Sequence, residues 1–504
     1  MDIPKESLRP ARPTESTDQT HQIKEQASRS VKWAYLADLL PKCIQPLVLV
    51  VLANLLTPAD YGIVGVSVAV VALAGMFQTM GLSQALIQRQ DNLHEAANVA
   101  FWSNLTLGLL TAGLLVVMAP LLAGLFGDSR LINVLRLQSI SVFVCSLGSV
   151  QYALLRRDFR FKRLTWLALT SSLCPLIVAL PLAVAGAGYW ALVLSYVVGR
   201  CLETILLWSF SPYRPSWKYD WHVARGLLVF GGWVAVEGLQ SWGLLHGDNL
   251  VVAGFLGTER AGRYILSFNI VSLVIGMLVG PLSGVAYSAF SRLRGRVQEF
   301  RQAFLDCTRM LAAVVIPASL GLSVVTAALV PILGKKWSGI EPLLQTLAIM
   351  PGLGWIILLN PEVYKAWGRP DIMPKFHLAT ICYIVPAYLI AAQFGLKGFV
   401  LARASVGVVF YIPHIWVSVR VLKLPPSYFW NCIRSPLIAG LIMSAAVYLL
   451  LLRLGPYGLD LWYQQGGKLL ALVALGVLVY AACLWIIDKN LCKRFAQLAY
   501  KFAR

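Results

Sequence analysis

From about residue 32 to residue 487 the chain alternates between long apolar runs and short polar breaks, with no period-two alternation inside the runs. Apolar runs of about 18 residues or more with few charges read as membrane-crossing helices, because within lipid only a helix or a closed barrel satisfies its own backbone polar groups. A barrel would need strands of alternating polarity, so these runs predict helices. Fourteen are read, at 32–56, 61–85, 97–125, 131–154, 164–187, 189–210, 224–256, 262–290, 300–332, 340–366, 372–394, 397–421, 428–452 and 466–487. Asp38, Pro41 and Lys42 make the first atypical, and the seventh to ninth are long enough to tilt or to project beyond the bilayer.

Composition agrees. Hydrophobic residues make up 58% of the 504 and charged ones 13%, against about 25% charged in soluble chains, and the mean hydropathy is +0.69. The chain reads as an all-α polytopic membrane protein. Lys and Arg accumulate on cytoplasmic loops. Fourteen spans put both termini on one side, and the loops and tails of that side with the span ends beside them hold 30 of the 43 basic residues, against eight in the opposite loops and their edges and five deeper inside spans. Both ends are therefore expected in the cytoplasm. The net charge of +20 lies in short loops such as RRDFRFKR (156–163) beside apolar runs, where anionic lipid headgroups, not nucleic acid, are the expected partner.

The nine cysteines show no CxxC spacing, which gives no support to a disulfide framework or a metal site. Residues 1–30 are polar with mixed charge and read as a disordered cytoplasmic tail, not a signal peptide. The remaining polar breaks are too short for a soluble catalytic or nucleotide-binding domain, and GKKW (334–337) lacks the glycine spacing and the Ser or Thr of a phosphate loop. No cofactor is expected.

An offset of 200 residues lays ANLLTPADYGIVGVS, from Ala53, on AGFLGTERAGRYILS, from Ala253. Over 52–83 against 252–283 eight positions are identical: Ala53, Leu56, Gly62, Ser67, Val71, Leu73, Leu82 and Ser83 match Ala253, Leu256, Gly262, Ser267, Val271, Leu273, Leu282 and Ser283. The match superposes spans 1 and 2 on spans 7 and 8. An even number of spans separates the copies, so they share an orientation and are related by an axis along the membrane normal, as in two-lobed transporters. This predicts an N-lobe over 31–222, a C-lobe over 223–424, two further helices within 425–488 and a cytoplasmic tail over 489–504.

Three stretches carry a family resemblance: LANLLTPADYGIVGVSVAVVALAGMFQTMGLSQALIQR (52–89), GDNLVVAGFLGTERAGRY (247–264) and LVPILGKKWSGIEPLLQTLAIMPGL (329–353). Together, over about 30–425, the chain resembles the polysaccharide transporter family of the multidrug/oligosaccharidyl-lipid/polysaccharide exporter superfamily. Within it, the similarity is to the bacterial lipopolysaccharide and exopolysaccharide flippases such as colanic-acid exporters. The resemblance implies a V-shaped pair of six-helix bundles plus two helices. It also implies translocation of an undecaprenyl-pyrophosphate-linked oligosaccharide across the bacterial inner membrane by alternating access, coupled to a proton or sodium gradient. The long polar N-terminal tail departs from the family pattern.

An ionisable side chain within a span costs at least about 2.5–3.5 kcal/mol on insertion scales and is a candidate for function. Lys42, near the middle of span 1, and Arg200, in span 6, are candidates for holding a lipid phosphate, whose desolvation a cation offsets. The bland alternative is local pairing, Asp38 with Lys42 and Arg200 with Glu203. Arg309, expected to be held by Asp306, and Arg403 rank lower.

Glu237 and Asp248 are eleven residues apart, close to three turns, and so share a helix face with Gln240, Ser241 and Leu244 between them. Both are candidates for ion coupling. Glu237 is otherwise a protonated acid bonded across helices, and Asp248 a solvated residue at the end of its span. Asp38, Glu203, Trp242 and Glu362 are candidate gate or sugar contacts. Trp102, Trp190, Trp233 and Trp355 can stack on sugars or belong to the interfacial aromatic belt.

The leading reading is a flippase without covalent chemistry, acting on a lipid-linked oligosaccharide within the phospholipid bilayer. A polysaccharide polymerase and export machinery are candidate partners. A multidrug or cation antiporter of the same superfamily, with an acidic aromatic cavity, is the first alternative. A membrane-embedded glycosyl transfer enzyme or polymerase is the second.

Overall fold

The computed structural model describes residues 44–88, 92–158, 160–293, 296–354, 360, 363–364, 372–454, 462–489 and 491–493. Every regular element described is helical. The helices are α1 (Ile44–Leu55), α2 (Pro58–Thr79), the short α3 (Leu82–Gln88), α4 (Leu93–Phe126) and α5 (Arg130–Arg157). They continue with α6 (Phe161–Val184), α7 (Tyr189–Phe210), α8 (Trp221–Leu256), α9 (Thr258–Arg292) and α10 (Val297–Leu333). The last five are α11 (Glu341–Gly354), α12 (Ile372–Ala392), α13 (Gly395–Leu422), α14 (Pro426–Arg453) and α15 (Trp462–Ile487). With α3 set aside, they fall on the fourteen apolar runs. Among the described residues eleven are long and apolar enough to cross a membrane. On α4 the side chains of Leu110, Leu114, Val117, Leu121 and Leu125 point outward, each 60% exposed or more. Such a stripe is costly in water and at home in lipid.

Local chemistry sets the breaks. Thr57 and Asp60 form a capping box at the start of α2: the Thr57 N–H donates to Asp60 Oδ2 at 2.8 Å, the Asp60 N–H donates to Thr57 Oγ1 at 3.3 Å, and Pro58 stands at the first helical position. The matching break after α8 is made by Gly257, at a φ of +88°. Within α6 the ladder widens to one π turn at Pro175–Ala179, which absorbs a proline that has no N–H to give.

The repeat has a physical meaning in the packing. A Cβ on Gly62 would lie 1.7 Å from the carbonyl oxygen of Thr258, and one on Gly262 would lie 1.7 Å from that of Pro58. Pro58 and Thr258 are themselves 200 residues apart. Helices α2 and α9 therefore cross backbone to backbone at the two glycines, and the contact is its own image under the pseudo-twofold axis.

Around this crossing each lobe grips the other. From the C-lobe, Trp337 is wholly buried, donates from Nε1 to the Ala53 carbonyl at 2.8 Å and sets its ring edge to Tyr61 at 5.3 Å. Lys336 Nζ reaches the Leu55 carbonyl at 2.9 Å, and Asn54 Nδ2 returns a bond to the Ile332 carbonyl at 2.7 Å. From the N-lobe, Asp128, between α4 and α5, accepts from Thr258 Oγ1 at 3.0 Å and from Arg130 Nε and NH2 at 2.9 and 2.8 Å. Burial alone would raise the Asp128 carboxyl, but the bonds from Arg130 and Thr258 outweigh it and hold it below the usual carboxylate range.

At the opposite end of the molecule the first turns of α8 pack into the N-lobe. Ala224 and Leu227 are buried with Leu82, Ala96 and Val150, and a Cβ on Gly231 would stand 2.0 Å from the Met80 carbonyl. Helices α14 and α15 pack on α10, where the Tyr480 hydroxyl donates to the Ala313 carbonyl at 2.7 Å. Arg309, expected beside Asp306, pairs with Asp488 at 2.9 Å, and Gln302 donates to Asp306 on its own helix. The end of α15 brings Asp488 to the buried side of α10, a contact no spacing along α10 could reveal.

Two outcomes follow from the crossing and its grips. Gly62→Ala and Gly262→Ala each force a methyl into a backbone carbonyl, so each should lower stability by about 1–3 kcal/mol, measured by thermal unfolding in detergent, whereas Gly75→Ala, with open space around its Cβ position, should not. A carboxyl held low adds stability that is complete above its unfolded value near pH 3.9 and is lost as pH falls through its folded value. The difference in midpoint between the unmodified chain and Asp128→Asn should therefore be constant around neutrality and vanish only in strong acid.

Candidate functional site

Helix α8 stands between the lobes. One side meets α2: the Trp242 indole donates from Nε1 to the Ala69 carbonyl at 2.9 Å, and Gly238 faces Met76. The other side meets α12, where Gly243 faces Ile381. Trp242, a candidate sugar contact, is thus engaged in joining α8 to the N-lobe.

The two acids of α8 have opposite surroundings. Asp248 is 1% exposed and forms a salt bridge with Arg403 of α13, whose side chain is 14% exposed. The Tyr264 hydroxyl of α9 donates to Asp248 Oδ2 at 2.5 Å, and the Asn249 N–H donates to Oδ1 at 2.8 Å. The expectation of a solvated helix end does not hold for Asp248, because α9 and α13 close over it. Glu237, three turns earlier, is exposed and lies within electrostatic range of His377 on α12. The shared face is closed at one level and open at the other.

Arg403 binds more than Asp248. Its NH1 reaches the Tyr388 hydroxyl at 3.3 Å, and its guanidinium lies 4.6 Å from the centre of the Phe268 ring. Beside it is a cavity of about 180 Å3, lined by Leu244, Thr380, Tyr388, Phe410 and Tyr411. Next along α13, His414 is 1% exposed among Phe376 (centroids 4.0 Å apart) and Phe410 (4.4 Å), and neither ring nitrogen has a hydrogen-bond partner. Sequence reasoning ranked Arg403 low and passed over His414. Arg403 had no acid at helical spacing to signal its role, and the ring nearest His414, Phe376, comes from another helix.

The N-lobe holds a second cavity, of about 400 Å3, between α2, α3, α5 and α7. Arg200 and Glu203 line it and pair with each other at 2.8 Å. The Arg200 guanidinium also lies 5.2 Å from the centre of the Tyr196 ring. Ser83, Gln84, Ser149, Tyr152 and Thr204 complete a polar wall. Gly148 of α5 leaves room there for Leu207 and Thr204 of α7, and Asn104 of α4 holds Ser149 at 2.8 Å.

Trp102 stacks on Trp217 at 4.5 Å and donates to the Ser216 carbonyl at 2.8 Å, and Trp190 tilts over Tyr189. Asp38, Lys42, Glu362 and Trp355, together with the side chain of Trp233, lie outside the described residues. Among the described residues no cluster of three or more His, Cys, Asp or Glu side chains is placed to hold a metal ion.

The sequence profile of the family described as polysaccharide biosynthesis protein matches residues 51–342. Similar chains include the lipopolysaccharide biosynthesis protein WzxC of Escherichia coli (strain K12), 25% identical over 379 residues, which span 74% of this chain and 76% of that one. The teichuronic acid biosynthesis protein TuaB of Bacillus subtilis (strain 168) is 26% identical over 84% and 89% of the two chains. The succinoglycan biosynthesis transport protein ExoT of Rhizobium meliloti (strain 1021) is 24% identical over 94% and 95%. Among solved structures, the lipid II flippase MurJ in an inward closed conformation superposes with a TM-score of 0.73 at 16% identity, over 91% of this chain and 99% of that one. An inward-facing multidrug resistance MATE family transporter of the MOP superfamily superposes with a TM-score of 0.61 at 15% identity, over 77% and 99%. The two-lobed helical fold is the one these transporters share.

The Asp248–Arg403 pair generates its own test. Removing one partner of a buried pair leaves an uncompensated charge, at a cost of about 3–5 kcal/mol. Arg403→Gln alone should destabilise by that order, and adding Asp248→Asn should recover most of the loss. A double-mutant cycle on unfolding midpoints reads the coupling, and strictly additive effects would show that the two residues do not interact.

Proposed function

The chain belongs to the polysaccharide biosynthesis protein family, and on that premise we propose that it is a flippase that carries a lipid-linked oligosaccharide across the bacterial inner membrane by alternating access. The observation that carries this reading is the N-lobe cavity, where a guanidinium and a wall of hydroxyls and an amide stand together in a membrane-spanning bundle. Sugars are held by such scattered hydrogen bonds, and a lipid phosphate taken out of water needs a cation to offset its desolvation. Glu203 holds one arm of Arg200 and so orients the guanidinium without removing it from the cavity. Lys42 is a second candidate cation.

With both termini cytoplasmic, the end of the molecule where α2 crosses α9 faces the periplasm. The oligosaccharide then enters from the cytoplasmic side, and release requires the lobes to part at the glycine crossing. Exposed Glu237, on the helix shared by both lobes, is the candidate for taking up the coupling proton or sodium ion. Arg200 and Glu203 line the N-lobe cavity and balance their charges, and Arg403, which lines the C-lobe cavity, is balanced by buried Asp248 behind it. That is not the acidic lining that a cation antiporter would call for.

Flipping of a fluorescent undecaprenyl-pyrophosphate oligosaccharide in proteoliposomes tests the reading. Arg200→Gln and Lys42→Ala should each slow it about tenfold or more, the equivalent of one lost charge-assisted hydrogen bond. Glu237→Gln should leave flipping but remove its dependence on an ion gradient. No flipping by the unmodified chain would sink the proposal, and an undiminished rate in Arg200→Gln would move the binding site out of the N-lobe cavity.

A further inference from the structure

The geometry around Arg403 contains more than a structural salt bridge requires. A pair that only secures packing needs no space beside it, yet Arg403 lines a cavity of about 180 Å3 together with Tyr388 and Tyr411. That space is built. Tyr411 fits because residues 354 and 407 are glycines: a Cβ on Gly354 would lie 2.0 Å from its ring and one on Gly407 3.3 Å from its hydroxyl. No described residue bonds the Tyr411 hydroxyl. Leu244, on the face of α8 that runs from Asp248 to exposed Glu237, forms part of the wall.

The charges are also unevenly committed. Asp248 keeps two donors that do not belong to Arg403, the Tyr264 hydroxyl at 2.5 Å and the Asn249 N–H at 2.8 Å. A carboxylate with two such bonds remains stabilised if the guanidinium turns away. Of Arg403 only NH1 is bonded by described residues, to Asp248 and to the Tyr388 hydroxyl, and a guanidinium carries five N–H donors.

We propose that the C-lobe cavity binds one anionic group of the carried molecule, a phosphoryl group or a sugar carboxylate, with Arg403 as its cation and Asp248 as the counter-ion that holds Arg403 while the cavity is empty. The inference rests on the flippase reading for the identity of the carried molecule and on the side chains alone for the existence of the site. A cavity of this size excludes an oligosaccharide and admits one small anion. The N-lobe cavity is more than twice as large. One carried molecule would then be held at two places, by Arg200 and the hydroxyl wall in one lobe and by Arg403 in the other, so that it touches both. On arrival the anion takes the NH1 arm of Arg403, the Tyr411 hydroxyl donates to it, and Asp248 falls back on Tyr264 and Asn249.

Binding to the purified full-length chain tests the site without transport. The probes are inorganic pyrophosphate and glucuronate, read by calorimetry at constant ionic strength, so that general screening does not contribute. Asp248→Asn removes the competing carboxylate and should tighten binding about tenfold, the reverse of what a purely structural role gives. Tyr411→Phe should weaken it several-fold. Asp248→Asn with Arg403→Gln, which leaves no unpaired charge to unfold the bundle, should bind neither probe.

Equal affinity in Asp248→Asn and the unmodified chain, or binding that survives in the double variant, would overturn the proposal. So would stabilisation by sodium that disappears in Asp248→Asn, since that marks a cation site. Preference for pyrophosphate assigns the anion to the lipid phosphates, and preference for glucuronate to an acidic sugar. Arg403-dependent binding in a chain that does not flip the labelled oligosaccharide would keep the site and remove the flippase reading.

Discussion

The fold depends on two backbones touching. Where α2 crosses α9, Gly62 and Gly262 face the carbonyls of Thr258 and Pro58, and no other residue type allows helices to approach so closely. Small residues matter more in lipid than in water, because apolar side chains gain little by leaving lipid for one another and close van der Waals contact supplies the attraction. The crossing lies on the pseudo-twofold axis, so one contact is made twice. Once it is formed, Trp337 comes within reach of Ala53 and Tyr61, and Asp128 within reach of Thr258.

This arrangement suits a machine that must open. The grips on either side of the crossing consist of few bonds, several of them to backbone carbonyls at helix ends, where the carbonyls have no partner of their own. They can be exchanged for water as the lobes part. A side chain interdigitated across the whole interface could not be released so cheaply as this short contact between two glycines.

Helix α8 joins that crossing to the chemistry. Its first turns belong to the packing of the N-lobe, its middle is tied to α2 through Trp242, and its far half carries Asp248 into the C-lobe. Desolvation makes a buried ion pair a weak source of stability compared with an apolar one, so Asp248 and Arg403 are not explained by packing energy alone.

Much of this protein could be read from its residues in order. Run length and missing alternation predicted helices whose described limits lie within about six residues of those expected, outside the first and tenth spans, which run into undescribed residues, because the bilayer imposes its thickness on each span separately. The 200-residue repeat marked Gly62 and Gly262 as counterparts, and Arg200 with Glu203 was legible because helical spacing is local. What the residues in order could not disclose was which spans meet. Asp248 and Arg403 are 155 residues apart, Arg309 and Asp488 still further, and the rings around His414 come from more than one helix. Those meetings follow from helix packing, which depends on the fit of side chains across a gap and leaves no period along the chain. Tertiary structure alone therefore decided which charges are paired, which face of α8 is open and where the cavities lie.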